Sequence, residues 1–177
     1  VVAGYDFVGD AFNTQGTGAA LIPVPDANPD DCGGHGSHVA GIVGGNGGGI
    51  RGVAPNVTFG AYRVFGCTGS TSSDIILAAL ERALADGMQV INQSLGAGRQ
   101  WPQYPTAQAS ARLAKKGVVM VASIGNNGPG GSTPDGLFAA GAPGVGDGVI
   151  GVASFDNAQT AFYSNGVPAG YNPTTGS

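Results

Sequence analysis

The sequence predicts an α/β fold with a mainly parallel sheet and helices on both of its faces. Three observations lead there. Between residues 57 and 124, strand-like segments alternate with two amphipathic helical segments, an order that requires right-handed crossovers between parallel strands. Val118 to Ile124 is an almost unbroken apolar run, the pattern of a strand covered on both faces. Finally, 42% of the residues are apolar and 10% charged, and 34 of the 177 are glycine, which together describe tight packing, many turns and close backbone contacts. The length suits one domain with a sizeable core and need not be a whole natural domain.

Taken in order, Val1 to Val8 reads as a strand, with Val2, Tyr5 and Phe7 as β-formers and Gly9-Asp10 closing it. Asn13 to Asp31 is rich in Gly, Pro, Asn and Asp without periodicity, and reads as a surface loop. A helix follows from His35 through Val39, Ala40, Ile42 and Val43; its glycines admit close backbone approach, so it is expected to be buried in the middle of the domain. Gly44 to Gly49 is a glycine-rich connector without the G-K-[ST] of a phosphate-binding loop. A strand is centred on Val57 to Val64. Ile76, Ala79, Leu80, Ala83 and Leu84 then recur at helical spacing, with Ser73 as expected N-cap, Asp74 in the first turn and Gly87 past the end. Val90 to Leu95 is the next strand. A second helix runs from near Pro105 to Lys116, with proline at its start, lysines in its last turn and Gly117 as stop. Val149 to Ser154 is one more strand, and from Asp156 to Ser177 the chain turns polar and glycine-rich, so that it is expected to stop in mid-fold.

Charge and composition exclude several functions. The net charge of -4 has no basic patch behind it, and the doublet Lys115-Lys116 falls where a helix ends, so nucleic acid is not an expected partner. No apolar run approaches the roughly 20 residues of a membrane helix. No signal-peptide pattern opens the chain at Val1, so any targeting segment is expected to have been removed or never to have been joined to it. Low charge and an acidic balance lean towards a secreted protein. Two cysteines, Cys32 and Cys67, leave a disulfide, free thiols and metal binding open. Asn56-Val57-Thr58 is a glycosylation acceptor placed in a turn; Asn92-Gln93-Ser94 fits the same pattern but lies in a strand expected to be buried.

Three segments carry chemistry. Asp31 to Gly45 contains a histidine flanked by glycines at a helix mouth, in His35-Gly36-Ser37-His38-Val39-Ala40-Gly41, which suits a general base. This stretch resembles the histidine motif H-G-[ST]-H-V-A-G of the subtilases, the subtilisin-like serine peptidases, in which the first histidine is the catalytic base: His35. His38, about one turn on, is expected to point into the core. Val90-Ile91-Asn92-Gln93-Ser94-Leu95-Gly96 is similar to the family's V-I-N-x-S-L-G segment, whose strand walls the S1 pocket and pairs with substrate; Gln93 stands where an apolar residue is more usual. Val121-Ala122-Ser123-Ile124-Gly125-Asn126-Asn127-Gly128 resembles A-A-G-N-x-G, whose asparagine, here Asn126, donates to the oxyanion. Gly52-Val53-Ala54-Pro55 resembles the turn after the histidine helix.

The resemblance implies a subtilisin-like fold, incomplete here, and a serine endopeptidase. Amide hydrolysis needs a nucleophile, a base for its proton and donors aimed at the tetrahedral oxygen. His35 and Asn126 fill two of these roles, with Ser94, Leu95, Gly96, Ser123, Ile124 and Gly125 binding an extended polypeptide. The family's D-[ST]-G aspartate and G-T-S-M-A serine patterns do not occur. Asp6 is the nearest substitute acid, but its segment resembles a later strand, and Ser154 and Ser164 lack the nucleophile's context. Ile150 to Asn157 resembles the point where larger subtilases carry an inserted protease-associated domain. The expected division is therefore a partial peptidase domain over 1–155 and the start of an insertion or linker over 156–177, with the missing parts of its own catalytic domain as partner beside the polypeptide substrate, and a secreted location. The resemblance also places Cys32 and Cys67 on neighbouring loops at the cleft, joined in a disulfide. No cofactor is implied; family members commonly bind calcium, yet no acidic cluster has its ligand spacing, and the P1 preference is not readable.

Two other classes stand beside this reading. Cys32, His35 and His38 form a C-x-x-H-x-x-H run which, with Cys67, could be read as a zinc site, although the spacing is not a recognised ligand pattern. A folded or binding module that hydrolyses nothing is the other, because of the missing serine and aspartate.

Overall fold

The computed structural model describes residues 1–127 and 138–154; the expected insertion or linker over 156–177, with Ser164, lies outside the described residues. The elements are β1 (Ala3–Asp6), α1 (His35–Gly44), β2 (Asn46–Gly47), β3 (Ile50–Arg51), β4 (Gly60–Arg63), α2 (Ser73–Ala85), β5 (Val90–Gln93), α3 (Pro105–Lys115), β6 (Val119–Ser123) and β7 (Ile150–Val152). β1 pairs in parallel with β4, and β5, β6 and β7 pair in parallel in that order, which is the expected α/β architecture. The 13–31 loop contains one short 3-10 turn, Gly18–Leu21.

α2 joins the two parallel groups because its apolar stripe meets both. Ile75 and Ala79 pack with Val8, Phe12 and Val64, whereas Leu80 packs with Ala109, Leu113, Val118 and Met120, and Ile76 touches both clusters. Truncating Leu113 or Met120 to alanine would cost about 2 to 5 kcal/mol. The end of α2 follows from Gly87 in the left-handed region, with Met88 N–H donating to the Ala83 carbonyl at 3.0 Å. Its start differs from expectation: Ser72, not Ser73, is the extended residue before the first turn, and its side chain makes no capping bond. α3 starts on Pro105 and ends with Lys115 in its last turn, as its sequence requires.

Three further expectations are corrected. The glycine-rich connector is a β-hairpin: Gly47 pairs with Ile50, and Gly48 and Gly49 at φ 58° and 82° make the two-residue turn that needs positive φ at both positions. α1 buries no residue, because among the described residues it packs on that hairpin and on residues 52–59, and Ile42 is 57% exposed. The β6 run is covered on one side only among the described residues. Met120 and Ala122 are buried towards α2 and α3, whereas Val119, in register with the exposed Val90, is 45% exposed.

Candidate active site

The strand-to-loop junctions after β5 and β6 build a cleft. β5 and β6 are parallel with Gln93 beside Ala122, so both chains leave the sheet at the same end and in the same direction. Ser94, Leu95 and Gly96 form one wall; Ser123, Gly125, Asn126 and Asn127 form the other; Gly141 and Ala142 close the back. The cleft volume is about 210 Å³. Gly125 holds φ 108°, a conformation strained for any side chain, and this sharp exit from β6 brings Asn126 to the cleft.

Hydrogen bonds keep the walls apart at fixed spacing. Ala97 and Ala142 exchange both of their backbone bonds at 2.9 Å, and Gly141 N–H donates to the Ile124 carbonyl at 2.8 Å. The Ser123 hydroxyl donates to the Leu95 carbonyl at 3.4 Å, tying one wall to the other. Ile124 does not line the cleft; its side chain lies against Gly144 and Gly151 and supports the wall from behind. Leu95 packs on the Val8, Phe12 and Val64 cluster and anchors the opposite wall. The cleft floor has little room: a Cβ on Gly141 would lie 2.6 Å from the Ala97 carbonyl oxygen, and one on Gly98 would strike the Asn127 amide.

Beneath the first wall, Gln93 is 4% exposed. Its Nε2 donates to the Ser110 hydroxyl of α3 at 2.9 Å, so the polar residue at this position has a polar partner in the helix packed on it. Asn92, expected to be buried, is exposed and donates from Nδ2 to the Ser94 hydroxyl at 2.9 Å, because odd and even positions of β5 face opposite sides of the sheet.

His35 is the first residue of α1, is exposed, and does not line the cleft formed by the described residues. His38 is exposed as well; the expected core position fails because α1 buries no residue, its described neighbours engaging the C-terminal half of the helix through Ile42 and Val43. The turn ahead of His35 is organised by Asp31. Its Oδ1 accepts from the Gly33 and Gly34 amides at 2.9 Å each, and its Oδ2 accepts from the Ser37 amide at 2.7 Å. The Ser37 amide bond is the main reason its carboxyl lies below the usual carboxylate range; burial, next in size, opposes the shift, and the Ser37 hydroxyl and the Gly34 and Gly33 amides add to it.

Cys32 and Cys67 form a disulfide that ties this turn to the loop after β4. With both sulfurs bonded to each other, the zinc reading of Cys32, His35, His38 and Cys67 loses its thiolate ligands. Arg63 braces the same corner. Its Nη2 donates to Cys32 Sγ at 2.9 Å, its Nε to the Phe65 carbonyl at 2.9 Å, and its Nη1 pairs with Asp10 at 2.8 Å and Asp6 at 3.1 Å. Asp6 is 1% exposed and its other oxygen accepts from the Val8 and Gly9 amides, so both of its oxygens serve the end of β1 rather than a histidine.

The sequence that builds this cleft and the turn at His35 is matched by the family model of the subtilases over residues 11–173. The chain belongs to the subtilase family. The "Minor extracellular protease Vpr" of Bacillus subtilis (strain 168) is 37% identical over 96% of this chain and 20% of that protein. Subtilisin DY of Bacillus licheniformis is 37% identical over 93% of this chain and 54% of that protein. Among solved structures, Sphericase superposes with TM-score 0.65 at 32% identity, covering 88% of this chain and 47% of that one. The chain thus spans between a fifth and about half of these relatives. Two parts of this subtilase segment escaped the sequence reading. The Ala97–Ala142 bridge has no local signal, being a contact between distant loops. Asp31 does have one, an acidic residue just ahead of a helix start.

Proposed function

We propose that this chain is the base- and oxyanion-bearing part of a subtilisin-type serine endopeptidase that is secreted and cleaves polypeptides. The observation that carries the reading is the cleft that gathers Ser94, Leu95 and Gly96 with Ser123, Gly125 and Asn126. An extended peptide laid along Ser94 to Gly96 forms backbone hydrogen bonds with that wall, and its scissile carbonyl faces the Asn126 amide. His35 takes the proton of the serine hydroxyl as the hydroxyl oxygen bonds to the carbonyl carbon, and the negative oxygen that results is held by Asn126 Nδ2. His35 then gives the proton to the leaving amine nitrogen as the C–N bond breaks. The serine and the aspartate that orients His35 belong, in this reading, to the rest of the enzyme. The disulfide supports an oxidising, extracellular location, and Asn56, exposed in its turn, is an acceptor for sugar in a eukaryotic secretory host, although Asn92, exposed as well, no longer differs from it by burial.

The test is Asn126→Ala in the full-length protein. It lowers kcat about 100- to 1,000-fold with little change in KM, a magnitude known from subtilisin itself and so borrowed from the family. An unchanged kcat refutes the assignment. A second reading, a folded module without hydrolysis, is favoured by one observation: Asp6, the nearest substitute acid, is committed to Arg63 and to the amides of Val8 and Gly9. Loss of peptidase activity from the full-length protein under all conditions, with peptide binding retained, would select it.

A further inference from the structure

α1 is held weakly along its length and firmly at its first turn. It buries no residue, and its neighbours among the described residues are the β2–β3 hairpin and residues 52–59, which engage its C-terminal half through Ile42 and Val43. His35, at the opposite end, therefore depends on local ties for its place. The residue at the N-cap position, Gly34, has no side chain, and φ 81° turns the chain sharply there. The amide of Ser37, three residues into the helix region, would ordinarily be capped by an N-cap side chain. Asp31 reaches past the glycines and takes that amide with one oxygen while its other oxygen fixes both Gly33 and Gly34. One carboxylate thus spans the backbone on either side of His35, and its negative charge lies at the positive end of the helix.

Resting on the reading of His35 as the base, we propose that Asp31 is the positioning residue for that histidine: its carboxylate fixes the 33–37 backbone and so fixes where the His35 imidazole is presented. The held geometry is what a proton transfer needs, since misplacement of a base by about 1 Å costs on the order of 100-fold in rate. The disulfide of Cys32 does not replace this tie, because it secures the chain before the two glycines rather than the helix turn after them.

The experiment compares Asp31→Ala, Asp31→Asn and His35→Ala in the full-length protein, with active sites counted by a serine-directed phosphonate and kcat and KM measured on a peptide substrate. Asp31→Ala is expected to lower kcat at least about tenfold with KM within about twofold. Asp31→Asn, which keeps a carbonyl oxygen for Gly33 and Gly34 but presents an amide to Ser37, is expected to fall between wild type and Asp31→Ala. Exchange of the Ser37 amide proton should rise in the same order. If His35→Ala abolishes turnover while Asp31→Ala keeps wild-type kcat, the positioning role is wrong and the function stands. If His35→Ala keeps turnover, the base assignment falls, and this proposal with it. Should Asp31→Ala not fold, Asp31→Asn decides: wild-type kcat with faster Ser37 exchange overturns the proposal.

Discussion

Gln93 Nε2 donates to the Ser110 hydroxyl at 2.9 Å in a place where both residues are buried, linking β5 beneath the cleft wall to α3. The other end of the amide, Oε1, has no partner among the described residues. The pair is therefore a local polar commitment in an apolar layer, and removing one member leaves the other desolvated. Gln93→Ala is expected to destabilise the protein by about 1 to 3 kcal/mol from the unpaired hydroxyl alone, with a cavity contribution added. The double variant Gln93→Leu with Ser110→Ala should recover most of that loss, since two apolar groups replace the pair. Urea denaturation of the three proteins measures it, and a double variant as weak as Gln93→Ala alone would contradict the argument.

The disulfide closes a loop with a sequence separation of 35 residues. Constraining a loop of that length in the unfolded chain stabilises the fold by roughly 3 to 4 kcal/mol. Thiol titration of denatured, unreduced protein should find neither Cys32 nor Cys67 reactive. Cys32→Ser with Cys67→Ser should lower the unfolding midpoint, and an unchanged midpoint would show that Arg63 and Asp31 suffice to hold the corner.

At alkaline pH the group to follow is Tyr62. Burial, with the bond from its hydroxyl to Asp86 at 2.8 Å, pushes its phenol up to about 12 from an ordinary value of 10.0. The raised folded value means that the stability it contributes is complete below the unfolded value and is lost as pH rises from 10.0 towards about 12. Tyr62→Phe should flatten that part of the stability curve. A phenolate absorbance titration without a late-ionising tyrosine lost in Tyr62→Phe would refute the assignment.

Helices α2 and α3 were legible because their ends are written locally, in Gly87, Pro105 and Gly117, and their faces in the spacing of Ile76, Ala79, Leu80 and Ala83. The strands were legible as apolar segments, though longer in the sequence than their paired lengths. What failed was burial. Val39, Ile42 and Val43 resemble core residues in any sequence, but burial depends on what lies across from them, and the described residues against α1, a hairpin and residues 52–59, leave Val39 and Val43 half-buried and Ile42 exposed. His38 failed with its helix. Asn92 failed because a strand faces two ways and its neighbour Gln93 took the covered side. Gly48-Gly49 was readable as a turn, yet its hairpin needed the pairing of Asn46 with Arg51, two polar residues without an apolar alternation to announce them. In the cleft, the residues were legible as segments; their convergence came from the parallel register of β5 and β6 and from the Ala97–Ala142 bridge.

The last prediction concerns the 177 residues by themselves. They hold His35 and Asn126, but neither the D-[ST]-G nor the G-T-S-M-A pattern occurs, and Asp6 is occupied by Arg63 and backbone amides. A base without an oriented nucleophile has no proton to take, and an oxyanion donor without an attack has no charge to stabilise. The isolated chain should therefore show no peptide hydrolysis and no labelling by serine-directed phosphonates, whereas the full-length protein should show both and should lose turnover on His35→Ala. The comparison separates two explanations of an inactive chain: a phosphonate adduct on Ser154 or Ser164 of the isolated residues would place a nucleophile inside them. Turnover by the isolated chain that survives His35→Ala would remove the histidine from the mechanism altogether.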